Sequence, residues 1–285
     1  MKKLLLLIAA MGLIMATISC SGDDSGEPDW RGGTRTITKA MVNHIYNTVT
    51  GEVVGISATS NTLTINMDNN TATLVLNYND GSPKTLLLDD LKASLNPKRD
   101  YFYELTSPSD SRFKGYLDFY EEAAMRICYT TADGLRIIST TPKVYFNRSW
   151  DIITYDDTTE ATEMENVMYQ FEISPATSTA NVSVMKIEHA KDLKYFDFIE
   201  GKNVPLTLTP NGYVIEGQNI NTIAQYQAWA DSTGSTMRET DEYPFKTFNA
   251  TVDLMNDTLN ATFMMGNSAT AVARGRTYPN VRLAF

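Results

Sequence analysis

From residue 51 onward, apolar and polar positions alternate in short runs separated by Asn, Asp and Gly. Thr62-Leu63-Thr64-Ile65-Asn66-Met67 alternates strictly and ends at Asp68-Asn69-Asn70. Thr73-Leu74-Val75-Leu76-Asn77-Tyr78 follows, then Asn79-Asp80-Gly81-Ser82, then Lys84 to Leu88. Period-two alternation marks a half-buried strand, and runs joined by short Asn/Asp/Gly loops predict hairpins. Arg112 to Phe119, Ala123 to Thr130 and Leu135 to Ser139 predict three more strands. Tyr169 to Ile173, Asn181 to Ile187, Val204 to Thr209 and Tyr213 to Glu216 continue the series, with an Asn211-Gly212 turn between the last two. Thr247 to Leu254 and Thr258 to Met264 form a hairpin across Met255-Asn256-Asp257.

Two stretches differ. Thr36 to Asn47 places Ile37, Met41 and Ile45 at helical spacing, with Thr36 or Thr38 as a cap, and predicts one short helix. Ala190 to Glu200, with Leu193, Phe196 and Phe198, fits neither period and reads as a helical turn or loop. The fold class is all-β with minor α: an antiparallel β-barrel or sandwich with room for two lobes, since strands recur every eight to twelve residues or so. The acidic, Thr-rich stretch Tyr155 to Glu165 suggests a linker over 152–164, between lobe one at 36–151 and lobe two at 165–285. Phe113-Lys114-Gly115-Tyr116-Leu117-Asp118 and Phe245-Lys246-Thr247-Phe248-Asn249 form a faint internal echo.

The first residues change the picture from fold to address. Met1-Lys2-Lys3 is basic, Leu4 to Ile14 is apolar, and Ala16-Thr17-Ile18-Ser19 is small or short before Cys20. That order reads as a secretory signal over 1–19, shorter than the roughly 20 apolar residues of a membrane span. Thr17-Ile18-Ser19-Cys20 resembles the lipobox of bacterial lipoproteins. The resemblance implies that Cys20 is acylated, becomes the new N-terminus and holds the protein to the membrane; two or more acyl chains make such an anchor stable. Residues 20–35 contain Gly, Ser, Asp and Pro with almost no apolar side chain apart from Trp30, the composition of a flexible stalk. The acidic residues after Cys20 are similar to the surface-export signal of Bacteroidota lipoproteins, interrupted here by Gly22. They imply an outer-membrane location, with the cell surface favoured over the periplasmic face.

Charge narrows the partners. The chain carries −10, and loss of Lys2 and Lys3 with a signal would make it about −12. No basic stripe is present to neutralise phosphates, so nucleic acid is disfavoured. Beyond Cys20 only Cys128 remains, in the strand-like Met125-Arg126-Ile127-Cys128-Tyr129, where it reads as a small buried hydrophobe.

The catalytic inventory is thin. The two histidines, His44 and His189, stand in no HxxxH or HExxH spacing, and no GxSxG, P-loop or GxGxxG opens a helix. No cofactor and no metal are indicated, and Asp68-Asn69-Asn70 and Asp231 lack the rest of a calcium loop. Asp89-Asp90, Glu121-Glu122 and Asp156-Asp157 are doublets, but strand neighbours point to opposite faces. Aromatics remain: Tyr101-Phe102-Tyr103, Tyr116, Phe119 and Tyr120 in lobe one, and Tyr226 and Trp229 in the polar segment 218–243. Loop aromatics stack on sugar rings or anchor proteins. Tyr226 and Trp229 are therefore the ligand-binding candidates.

The runs Ala180 to Ile187, Val204 to Thr209, Asn211 to Gly217 and Phe248 to Val252 resemble the C-terminal region of small Bacteroidota lipoproteins that carry domains of unknown function. Some of these are calycin-like, with a lipocalin-type barrel. The resemblance covers roughly 100 residues and implies a β fold without an activity. Asp157-Thr158-Thr159, Asp231-Ser232-Thr233 and Asp257-Thr258-Leu259 resemble O-glycosylation acceptors of Bacteroidota exported proteins. The reading that follows is a non-catalytic envelope lipoprotein that binds a small ligand, glycan or partner protein through β-domain loops. Two alternatives stay open: an assembly subunit of a surface appendage or uptake complex, using the tail 278–285, and a carboxylate-dependent hydrolase.

Overall fold

The computed structural model describes residues 32–97, 102–119, 124–155, 161–228, 237–266 and 269–276. The chain divides into two units, Met1–Trp30 and Arg31–Phe285. The first, with Cys20, lies outside the described residues. Eighteen strands and no helix occur among those described.

The first eight are β1 (Thr34–Asn47), β2 (Glu52–Asn66), β3 (Thr71–Asn79), β4 (Pro83–Leu95), β5 (Phe102–Thr106), β6 (Phe113–Asp118), β7 (Ala124–Thr130) and β8 (Leu135–Thr140). Each pairs with the next, antiparallel, and β8 pairs with β1 to close a barrel. We call it ring one. The remaining strands are β9 (Lys143–Tyr155), β10 (Ala161–Ser174), β11 (Thr179–His189), β12 (Lys194–Thr209), β13 (Gly212–Ile220), β14 (Thr222–Ala228), β15 (Arg238–Thr240), β16 (Phe245–Asp253), β17 (Thr258–Met265) and β18 (Ala269–Arg276). Here β9 to β13 and β16 to β18 form a second eight-membered antiparallel ring, joined through the β18–β9 and β13–β16 pairs and closed by the β11–β12 pair, with β14 and β15 branching from β12 as a flange. We call it ring two.

The helix expected at Thr36–Asn47 is corrected to strand β1. A spacing of four is a multiple of two, so Ile37, Met41 and Ile45 share one face of a strand as readily as one face of a helix. The pattern is masked further because Met41 to Ile45 are all buried. Met41, Asn43 and Ile45 point into ring one, while Val42 belongs to the core cluster of ring two. Two buried faces erase the alternation that identifies a strand. The segment 190–200 is also corrected: residues 190–193 turn, and Lys194 begins β12. A register shift between Phe196 and Phe198 explains its broken period, since a bulge moves the alternation by one residue. The stretch 152–164 holds the end of β9 and the start of β10, so the chain passes between rings at Thr141 and Pro142.

The rings meet wall to end. The outer face of β1, β8 and β7 lies against the β12–β13 and β16–β17 turns of ring two. Val42, Cys128 and Ile138 join ring two's apolar cluster, and the Cys128 thiol sits 3.7 Å from Met255 Sδ. Gly212 makes the first turn possible. A Cβ on it would come 2.2 Å from the Val252 carbonyl, at φ +158.

Buried and part-buried polar groups meet at this joint. Arg126 pairs with Asp257, and their side chains are 2% and 1% exposed. His44 Nε2 lies 2.6 Å from the Thr209 carbonyl, and Arg136 donates to the Pro210 carbonyl at 2.7 Å and to Asn211 Oδ1 at 2.9 Å. Burial holds His44 down at about 4, so the ring is neutral and Nε2 carries the donated proton. Burial pushes the Cys128 thiol up to about 12, which leaves it an inert packing group.

Candidate functional site

Ring two is filled rather than hollow. Phe146, Phe171, Phe245, Phe248 and Phe263 are no more than 1% exposed, and Tyr169 is fully buried. Phe263 contacts Tyr169, Phe245 and Phe248 at ring-centroid distances of 6.3, 5.3 and 5.7 Å. One acid sits among them. Asp151 accepts from Ser149 Oγ at 2.6 Å and from the Tyr169 hydroxyl. Burial raises its pKa to about 6, only partly opposed by those two bonds. With no exposed surface, it belongs to the packed interior.

The outer wall has the opposite character. Thr247, Asn249 and Thr251 on β16 face outward, as do Asn260 and Thr262 on β17 and Glu216 and Gln218 on β13. A membrane-spanning barrel needs an apolar outer band around a polar lumen. This part of ring two is the reverse, a water-facing wall around an apolar core.

The end of ring two remote from ring one gathers partly exposed chemistry. It is built from the end of β9, the 190–193 turn, the start of β12, the end of β14 and the loop before β16. Lys194 Nζ donates to the Tyr243 hydroxyl at 2.7 Å, and that hydroxyl donates to Asp192 Oδ2 at 2.5 Å. The ammonium stands 4.6 Å from the ring centroids of both Tyr226 and Tyr243, a cation–π contact with Tyr226 beside the hydrogen bond to the Tyr243 hydroxyl. His189 packs edge-on against Tyr155 and Tyr243, at 5.1 and 5.6 Å. It accepts the Asp192 amide on Nδ1 at 3.2 Å, and burial lowers its pKa. Burial, then the bond to Asp192, raises the Tyr243 phenol, so it stays a neutral relay between ammonium and carboxylate.

Of the residues singled out in the sequence, Tyr226 falls in this cluster, half-buried against Phe196 at 5.9 Å. Trp229 lies outside the described residues, as do Tyr101, Tyr120, Glu121-Glu122 and Asp156-Asp157. Phe102 stacks on Tyr116 at 5.0 Å and Tyr103 meets Phe119 edge-on at 5.8 Å, so these aromatics pack ring one. Asp257, first of a glycosylation-like triplet, is buried in the joint. Lys194, Asp192 and Tyr243 were not legible in advance: they lie up to 51 positions apart and no spacing links them. No group of three or more His, Cys, Asp or Glu among the described residues is placed to hold a metal ion.

The class this geometry defines is an all-β protein of two closed, antiparallel, eight-stranded rings, the wall of one set against the end of the other. No protein-family model matches the chain, and no curated protein matches it. A solved structure from Bacteroides fragilis, provisionally described as an outer membrane protein, is similar at 16% identity over 87% of this chain and 98% of that one, with a TM-score of 0.35.

Proposed function

We propose that this is a non-catalytic lipoprotein of the cell envelope, held by acyl chains on Cys20, that recognises its ligand at the remote end of ring two. One observation carries the location of binding: ring two's interior is occupied by its own aromatic side chains, while Lys194, Asp192, Tyr226 and Tyr243 converge at its rim. A calycin-like protein normally takes ligand into the barrel. Here the packed core leaves the rim loops to do it. The water-facing wall of β13, β16 and β17 supports a protein tethered at a membrane rather than spanning it. The lipobox-like sequence and the acidic residues after Cys20 favour the outer membrane and its surface face.

Two experiments test the reading. Cells fed an alkynyl palmitate should label the wild-type chain, which should sediment with outer membranes; the Cys20→Ala chain should be unlabelled and released. Labelling that persists in Cys20→Ala would remove the anchor. On a glycan and protein array, Tyr226→Ala should lose part of the wild-type binding pattern while keeping its circular dichroism spectrum. An unchanged signal would remove the rim.

A further inference from the structure

Both rings contain a place where two neighbouring strands part, and the two are finished differently. In ring one the β2–β3 ladder ends at Thr62–Val75, beyond which β2 stays with β1 and β3 with β4. Side-chain amides and a hydroxyl close that split. Asn61 Oδ1 accepts the Asn77 amide at 2.8 Å, and Asn43 Nδ2 and Thr59 Oγ1 donate to the Asn77 carbonyl at 3.0 and 2.9 Å. Asn77 Nδ2 donates in turn to the Ser60 carbonyl at 2.6 Å.

In ring two the β12–β13 ladder ends at Leu206–Ile215, and β12 resumes with β14 at Gly201–Thr222. Residues 202–205 of β12 and 216–220 of β13 face each other across the split without pairing. Two adjoining clefts open there, of about 510 and 570 Å³, sharing Pro205, Gly217 and Gln218. Asn203, Gln218, Asn221 and Asn249 line them with exposed side chains. The floor is closed by Ile220. A Cβ on Gly201 would come 2.9 Å from Ile220 Cγ2, and one on Gly217 would come 3.0 Å from Ile220 Cδ1.

We infer that this split is a second ligand site, separate from the rim, for a neutral oligosaccharide lying along the outer wall. An amide offers a donor and an acceptor side by side, which matches a sugar hydroxyl that does both. Lys202 and Glu200 lie 3.6 Å apart at one edge, so a ligand of either charge meets its own sign as well as the opposite one. Pro205 and the 44%-exposed Ile223 give apolar faces for the C–H side of a sugar ring. An extended peptide would need to enter the split to pair with both strands, and Ile220 occupies that space. The clefts fall within the usual size of small-molecule sites, about 300–1,000 Å³.

The test is calorimetric titration of the full chain in detergent with maltohexaose, cellohexaose and mannohexaose. At least one should bind, with Kd between about 10 μM and 1 mM. Gln218→Ala/Asn249→Ala, and independently Asn203→Gly/Asn221→Ala, should weaken that binding at least about tenfold with unchanged thermal unfolding, since all four side chains are exposed and glycine accepts the positive φ at position 203. Tyr226→Ala should change it less than about twofold, which separates this site from the rim. Binding of none of the three sugars would overturn the inference. So would sugar binding that survives both double variants, loss confined to Tyr226→Ala, or displacement of the sugar by an extended hexapeptide.

Discussion

Ring one and ring two share a strand order and differ in what fills and decorates them. Ring one is a plain meander of eight strands. Its core is mainly aliphatic, around a small set of mutually bonded polar groups, including Asn61 Nδ2 on Ser139 Oγ at 2.9 Å. Ring two has an aromatic core around the buried acid Asp151. It also carries the extra strands β14 and β15, inserted between its fifth and sixth members. The closed ring solves the edge problem for both. Only ring two then spends additional chain, and the partly exposed aromatic and charged groups collect where that chain is added. Ring one gives its outer wall to the joint and acts as the support.

The largest effect should come from breaking the link between the rings. Arg126→Met strands Asp257 in a buried site, and removing one partner of such a pair costs about 3–5 kcal/mol. Urea unfolding of the wild type should show one transition, and Arg126→Met a weaker one that splits as the rings separate. Arg126→Met/Asp257→Leu should recover most of the loss. Recovery failing while the single variant is mild would mean the rings hold together without this pair.

Next comes a pH effect of opposite sign in the two places. His44 at the joint is held near 4, below its ordinary 6.5. Its contribution is complete above pH 6.5 and is lost as pH falls towards 4, by about 3 kcal/mol at full extent. Asp151 inside ring two is raised from 3.8 to about 6. Its buried protonated form favours folding below pH 3.8, and that advantage is lost as pH rises through 6, again about 3 kcal/mol. The two slopes oppose each other between about pH 4 and 6. Unfolding at pH 4.5 and 6.5 should therefore show His44→Gln gaining relative stability on acidification and Asp151→Asn losing it. Identical pH slopes in both variants would contradict the assignment.

A smaller contrast tests the two strand splits. Asn61→Ala should cost about 1–3 kcal/mol, because it empties a buried site and leaves the part-buried Asn77 amide without its acceptor. Gln218→Ala should stay within about 0.5 kcal/mol. A similarly small effect belongs to the exposed rung between Thr38 and Thr62, whose hydroxyls are 2.9 Å apart. Thr38→Ala should cost roughly 0.2–1 kcal/mol in thermal unfolding.

How much of this was legible follows from the same contrast. Strands with one wet face, such as β3 with its strict alternation of buried and half-buried residues, could be read directly. Burial on both faces did not by itself hide a strand, since β7 is buried on both and is predicted from its sequence; β1 reads as a helix because spacing by four does not separate the two structures. The faint echo has a place in the topology: Phe113 and Phe245 begin the sixth strand of their respective rings. Tyr226 could be picked out as an aromatic in polar surroundings. Its partners were hidden because Asp192, Lys194 and Tyr243 are brought together by ring closure and by the loop before β16. Local sequence carries turns and faces, and it carries no trace of which distant strand ends will share a rim.

The joint also sets how the molecule bears load. The chain enters ring one at β1, while the proposed rim lies at the far end of ring two. Tension between a tether and a bound ligand would therefore cross the joint in series. It would bear on the buried Arg126–Asp257 pair, the His44–Thr209 bond and the single covalent crossing at Thr141–Pro142. The two rings would act as links of a chain whose weakest connection is an interface centred on an ion pair that water does not reach.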